Sequence, residues 1–200
     1  MRYRLARISA VVVVLAVALV SACSKKEDPE GLVGLHKKYS AVQDMRVVVS
    51  GGVNLFQYSQ RLTDSLLKFK NSEDNCEQSA AKFSAPGKRA LAAEVCRHLD
   101  MAMNAYVNSK DFFGDAHETD HEDYFSADYM FGEGTYEELQ SRFPGLEEVR
   151  VALDYTRSDN PTVSRIGKVY WKGDMLQALW RLADRECQTA KSQIDQLSQM

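Results

Sequence analysis

The feature that most limits how this chain can fold lies near its C-terminus. There Ile166, Val169, Gly173, Leu176, Trp180, Ala183, Cys187, Ala190, Ile194 and Leu197 recur at alternating steps of three and four. Such spacing suits a long helix with one buried seam, and the segment is predicted to be the spine of a helical bundle. Pro161 would stand in the first turn of that helix, where a missing N–H loses no intrahelical bond, after the turn Ser158-Asp159-Asn160. Gly173 lies in phase, so it either admits a close helix contact or, with Asp174, marks a break and a new cap.

The same periodicity extends upstream. Leu32, Leu35, Tyr39, Val42, Met45 and Val49 predict a helix, with Lys37, Lys38 and Asp44 between the apolar positions. Ser50-Gly51-Gly52 either ends that helix or kinks it within a longer one. Asn54 followed by Gln57 has the spacing of a capping box, which predicts a helix from Leu55 to about Lys70 with Leu55, Tyr58, Leu62, Leu66 and Phe69 inward. After a polar turn a short helix is expected from Cys76 to Phe83. Beyond Pro86-Gly87 a longer one is expected from Lys88 to Ser109 along Leu91, Val95, Leu99, Ala102 and Tyr106. Thr135 with Glu138 predicts another start, ending near Arg142, and Leu146, Val149 and Leu153 read as helical to about Tyr155. The expected fold is all-α, a bundle of about six helices in one domain.

The N-terminus has a different character. Arg2, Arg4 and Arg7 precede an apolar run from Ile8 to Leu19, and small residues stand just before Cys23, which is the anatomy of an export signal. The run is shorter than the roughly 20 residues needed to span a bilayer. Val20-Ser21-Ala22-Cys23 resembles the lipobox of bacterial lipoprotein precursors. The resemblance implies acylation of the Cys23 thiol, cleavage before Cys23 and acylation of the new amino terminus, palmitate being a typical chain. Each buried methylene contributes about 0.8 kcal/mol, so two or three chains hold where one slips off. It implies a signal peptide over 1–22 and an acylated tether over 23–30, which places the all-α domain read from the periodicity, over 31–200, in the periplasm. Ser24, where aspartate would by similarity to enteric lipoproteins favour inner-membrane retention, points to the outer membrane of the cell envelope. The alternative is an ordinary secretory signal with an incidental cysteine.

Exported chains meet an oxidising compartment, and Cys76, Cys96 and Cys187 remain after lipidation. Cys76 and Cys96 stand symmetrically about Pro86, so two antiparallel helices folded there would bring them level and allow a disulfide. Three buried thiols are the alternative. Cys187, within the seam, reads as a small apolar group.

Losing the three signal arginines takes the net charge from −3 to −6, which excludes a general electrostatic footprint for nucleic acid. The acidity is concentrated between Asp111 and Gly134, a stretch with eight Asp or Glu, no Lys or Arg, and Phe112, Phe113, Tyr124, Phe125, Tyr129 and Phe131. A long loop of that composition suits a basic protein partner, with rings supplying buried area and carboxylates such as Asp120 steering. Equally, the rings can pin the loop to the bundle while the carboxylates face water.

His117-Glu118-Thr119-Asp120-His121 matches H-E-x-x-H and resembles the zincin metallopeptidase motif. That resemblance implies His117 and His121 as zinc ligands and Glu118 as general base. Asp120 departs from the uncharged residue usual there, and a third ligand would have to come from a carboxylate such as Glu137 or Glu138. A solvated acidic loop with two histidines is the competing reading. His36 and His98 fall on helices, as surface or satisfied residues, and Trp171 and Trp180 occupy core-like positions. No nucleophile elbow, phosphate loop or dinucleotide fingerprint is present.

The expectation is a non-enzymatic lipoprotein without a cofactor, held to the membrane by Cys23, whose helical domain binds another envelope protein as a pilot, assembly factor or inhibitor. A zinc hydrolase is one alternative. A structural lipoprotein that self-associates through the heptad face is another.

Overall fold

A computed structural model describes residues 29–71, 76–113, 130–154 and 167–200. Helix α1, Pro29–Ser50, buries Leu35, Ala41, Val42 and Met45. It begins with Pro29 and Glu30, which the sequence assigns to the tether. Gly52 ends the α1 connection at φ +73, a left-handed conformation that glycine adopts without penalty. The chain therefore folds back instead of continuing as one long helix. Helix α2, Leu55–Lys70, starts where the Asn54 side chain accepts from the Gln57 N–H at 2.9 Å, and buries Tyr58, Leu62 and Phe69.

Helix α3, Cys76–Ala81, is short, and helix α4, Pro86–Ser109, opens on proline at its first position. A 3₁₀ turn, Lys110–Phe112, continues α4. Strand β1, Met130–Gly132, leads into helix α5, Glu133–Arg142; strand β2, Val151–Asp154, and strand β3, Lys168–Trp171, precede the long helix α6, Lys172–Gln199. The fold is all-α, with six helices among the described residues and a small antiparallel sheet in the order β1-β3-β2. Phe131 is level with Tyr170, and a bulge falls between Val151 and Leu153.

Three sequence expectations are corrected here. Residues predicted as a helix around Leu146–Tyr155 instead run without regular structure into β2, because Val151 and Leu153 pair with β3. Cross-strand pairing overrides a weak local period. The last helix starts at Lys172, so Val169, in phase with the seam, is buried on a strand. Gly173 and Asp174 occupy the new helix's first turn, the break that the sequence left open. Ile166 lies outside the described residues, as do the turn Ser158-Asp159-Asn160 and Pro161. The helix α5 starts at Glu133, ahead of the Thr135 box, and Gly132 caps it without a side chain.

The core is one contiguous cluster centred on α4 and α6. Ala92, Ala102 and Ala105 on α4 and Ala178, Ala183 and Ala190 on α6 are fully buried and let the axes approach, while Leu99, Leu179 and Leu182 fill the gaps. Each such leucine stabilises the fold by about 1.5 to 3 kcal/mol through burial.

Candidate functional site

Polar groups inside this core fix its geometry. His98 on α4 bonds through Nδ1 to Glu186 Oε2 on α6 at 2.5 Å, and Arg97 Nη2 lies 3.1 Å from His98 Nε2. A guanidinium has only donors, so Nε2 accepts and Nδ1–H donates to the carboxylate. One tautomer thereby cross-links the two longest helices among the described residues. Lys38, 4 % exposed, donates from Nζ to the Phe69 carbonyl at 3.0 Å and sits 4.4 Å from the Phe69 ring centre. Burial lowers its pKa, and Asp100 acts in the opposite direction. Burial likewise raises the pKa of Asp100, with Lys38 pulling it back.

A second node joins α2, α4 and α6. Tyr58 hydroxyl lies 2.7 Å from both the Tyr106 carbonyl and Ser109 Oγ, Ser109 donates to the Tyr106 carbonyl at 2.8 Å, and Trp180 Nε1 donates to Ser109 Oγ at 3.1 Å. The Phe113 ring lies 4.7 Å from Tyr58 and 5.7 Å from Trp180. Phe112, beside it, is core. These two aromatics, expected above in the partner-binding stretch, lie at its start, Phe112 buried in the core and Phe113 partly buried against it. Phe131 lies on β1, and Asp120, Tyr124, Phe125 and Tyr129 fall outside the described residues. His117, Glu118 and His121 also lie outside them, as does Cys23. Among the described residues no cluster of three His, Cys, Asp or Glu is placed to hold a metal. Glu138, one suggested third ligand, accepts from Arg142 at 2.5 Å on the same helix.

Cys76 and Cys96 form a disulfide that ties α3 to α4, and Cys187 is a buried free thiol whose pKa burial pushes up to about 11. Beside the disulfide runs a groove of about 660 Å³. Ala80, Ala93, Met101 and Phe143 give it an apolar floor; Glu77, Arg97, Asp100, Asn104, Asn108 and Arg142 give it a polar rim. Arg142 reaches Asn108 Oδ1 at 2.8 Å, so α5 and α4 are bridged at one end. The groove can seat a side chain or a short segment of a partner, with apolar contact below and charged hydrogen bonds around it.

Sequence reasoning placed Lys38 between apolar positions and missed its burial. Its signal was register: 35, 38, 42 and 45 share one helical phase, so Lys38 stands among buried Leu35, Val42 and Met45. The His98–Glu186 pair, separated by 88 positions, carried no local signal.

No protein-family model matches the chain, and no curated protein or solved structure is significantly similar to it.

Proposed function

We propose that the chain is a bacterial lipoprotein held to the membrane by acyl chains on Cys23, whose helical domain binds another protein of the cell envelope. The reading rests on the three-zone leader ending in Val20-Ser21-Ala22-Cys23. The Cys76–Cys96 disulfide supports it, because such bonds persist in oxidising compartments. Among the described residues no helix is long and apolar enough to cross a membrane, so on this reading attachment falls to the lipid. The groove beside the disulfide is the surface offered to the partner.

Intact-mass analysis of natively produced protein tests the anchor. A chain beginning at acylated Cys23 is expected, and a bare cysteine or a retained leader overturns the reading. Affinity purification from detergent-solubilised envelope, run in parallel with Ala93→Arg, tests the partner: one specific protein retained by the wild type and lost by the variant is expected. Metal analysis addresses the zinc alternative, which falls if protein purified without chelator carries less than about a tenth of an equivalent.

A further inference from the structure

The charges around the groove beside the disulfide do not cancel. Both arginines on its rim are engaged: Arg97 donates to Glu94 Oε2 at 3.0 Å, and Arg142 donates to Glu138 Oε1 and to Asn108 Oδ1. The two carboxylates on the rim, Glu77 and Asp100, make no hydrogen bond or ion pair with a described residue, and both residues are exposed. Glu94 and Glu138 thus balance the arginines, and Glu77 and Asp100 are left over.

Lys38 acts on Asp100, but from inside the core. It is 4 % exposed and gives a hydrogen bond to the Phe69 carbonyl, so it does not enter the groove. Burial raises the pKa of Asp100 in spite of Lys38, the sign of a carboxylate partly stripped of water without a donor to replace it. A cation that enters from outside supplies what the bundle does not.

The disulfide brings the two carboxylates to the same part of the groove. Glu77 follows Cys76 on α3, Asp100 stands one turn beyond Cys96 on α4, and the two cysteine Cα atoms are 5.4 Å apart. The lining residues of α4 extend from Ala93 to Asn108, which is about 22 Å of helix. That length suits a short run of polypeptide better than a compact metabolite, and Met101 and Phe143 offer it apolar contact.

We propose that the groove takes a basic segment of the partner, one arginine side chain set between Glu77 and Asp100 and its apolar neighbours against Met101 and Phe143. The proposal rests on the groove being the surface that the partner meets, and adds the chemistry of what fills it. Arginine suits the place better than lysine: its planar fork can donate to two carboxylates at once, while its methylene stem lies along the apolar floor.

The test is selection of random dodecapeptides displayed on phage against the full chain. Sequences with an arginine flanked by apolar residues are expected to be enriched. The leading peptide, synthesised and titrated, should bind at least about tenfold tighter than the same peptide with citrulline, which keeps the shape of arginine without its charge. A chain carrying Glu77→Gln and Asp100→Asn should bind it at least about fivefold more weakly, and Ala93→Arg should not bind it. Both replaced carboxylates are exposed, so the double variant is expected to fold, which far-UV circular dichroism checks. Glu148→Gln removes an exposed carboxylate outside the groove and should leave binding unchanged; an equal loss there would mean attraction to the overall negative charge and would overturn the proposal. No enrichment, enriched peptides without a basic residue, or full binding by the double variant also overturns it. If such peptides appear while an envelope protein is still lost by Ala93→Arg, the groove stands as the surface and the arginine falls. Arginine peptides that bind as expected while no envelope protein is recovered support the chemistry of the groove and count against the envelope partner.

Discussion

At the scale of single residues, the hydroxyl of Tyr58 carries more than its size suggests, because it donates to the Tyr106 carbonyl and lies within hydrogen-bond distance of Ser109 Oγ, both on α4, within a fully buried site. Tyr58→Phe should destabilise the protein by about 1 to 3 kcal/mol in urea unfolding at neutral pH. Burial pushes the Tyr58 pKa up to about 12, whereas an unfolded tyrosine titrates near 10. The stabilisation linked to this shift is therefore complete below pH 10 and is lost as pH rises through about 12, and Tyr58→Phe should flatten that alkaline loss. Lys38 has the opposite sign. Its pKa is lowered by burial, so the folded state releases its proton before the unfolded chain does, and the penalty of a buried charge is relieved as pH climbs towards 10.5. Comparing Lys38→Met with the wild type between pH 8 and 10.5 should show the wild type gaining ground as pH rises; a constant difference would refute this assignment. Residues of this kind are hard to read in a sequence. A buried lysine looks like a surface one until its helical phase is compared with that of its neighbours.

At the scale of elements, α3 depends on what it touches. A six-residue helix is too short to be stable alone, and the disulfide to α4 and the packing of α1 both hold it. Reducing the bond, or Cys96→Ser, should lower stability by about 3 kcal/mol, measured by denaturant unfolding with and without reductant. Gly31 on α1 lets Phe83 and the Ser79 carbonyl come close: a Cβ at Gly31 would meet them at 2.8 and 3.0 Å. Gly31→Ala should therefore cost about 1 to 3 kcal/mol despite its better helix propensity, by melting temperature or urea midpoint. Helices α2 and α4 were legible because their caps and breakers are local: Asn54 and Gln57 at one start, Pro86 at the other. The sheet was not, since β1, β2 and β3 are each three or four residues long and the pairing of Val151 with Tyr170 joins distant positions. The groove was equally hidden, being assembled from α3, α4 and the end of α5, although the Pro86 symmetry did suggest the two cysteines along its side.

At the scale of the whole molecule, the long apolar seam carried the architecture. Its residues from Leu176 to Leu197 lie on α6 as expected, and Met175, Ala178, Leu179 and Leu182 widen the buried face to receive α4 on one side and α1 on another. Because the buried side chains form one connected body, the helices should unfold together. Leu179→Ala should lower stability by about 2 to 5 kcal/mol and move the whole transition, seen alike by far-UV circular dichroism and tryptophan emission. Two separate transitions would contradict a single core. The bond between Cys76 and Cys96 has one more effect, topological in kind: it closes the backbone into a ring that includes the connection from α3 to α4. A protease that cuts at Lys82, inside that ring, makes two polypeptides but no separable fragments. They should migrate as one species on a denaturing gel and part only when thiol is added.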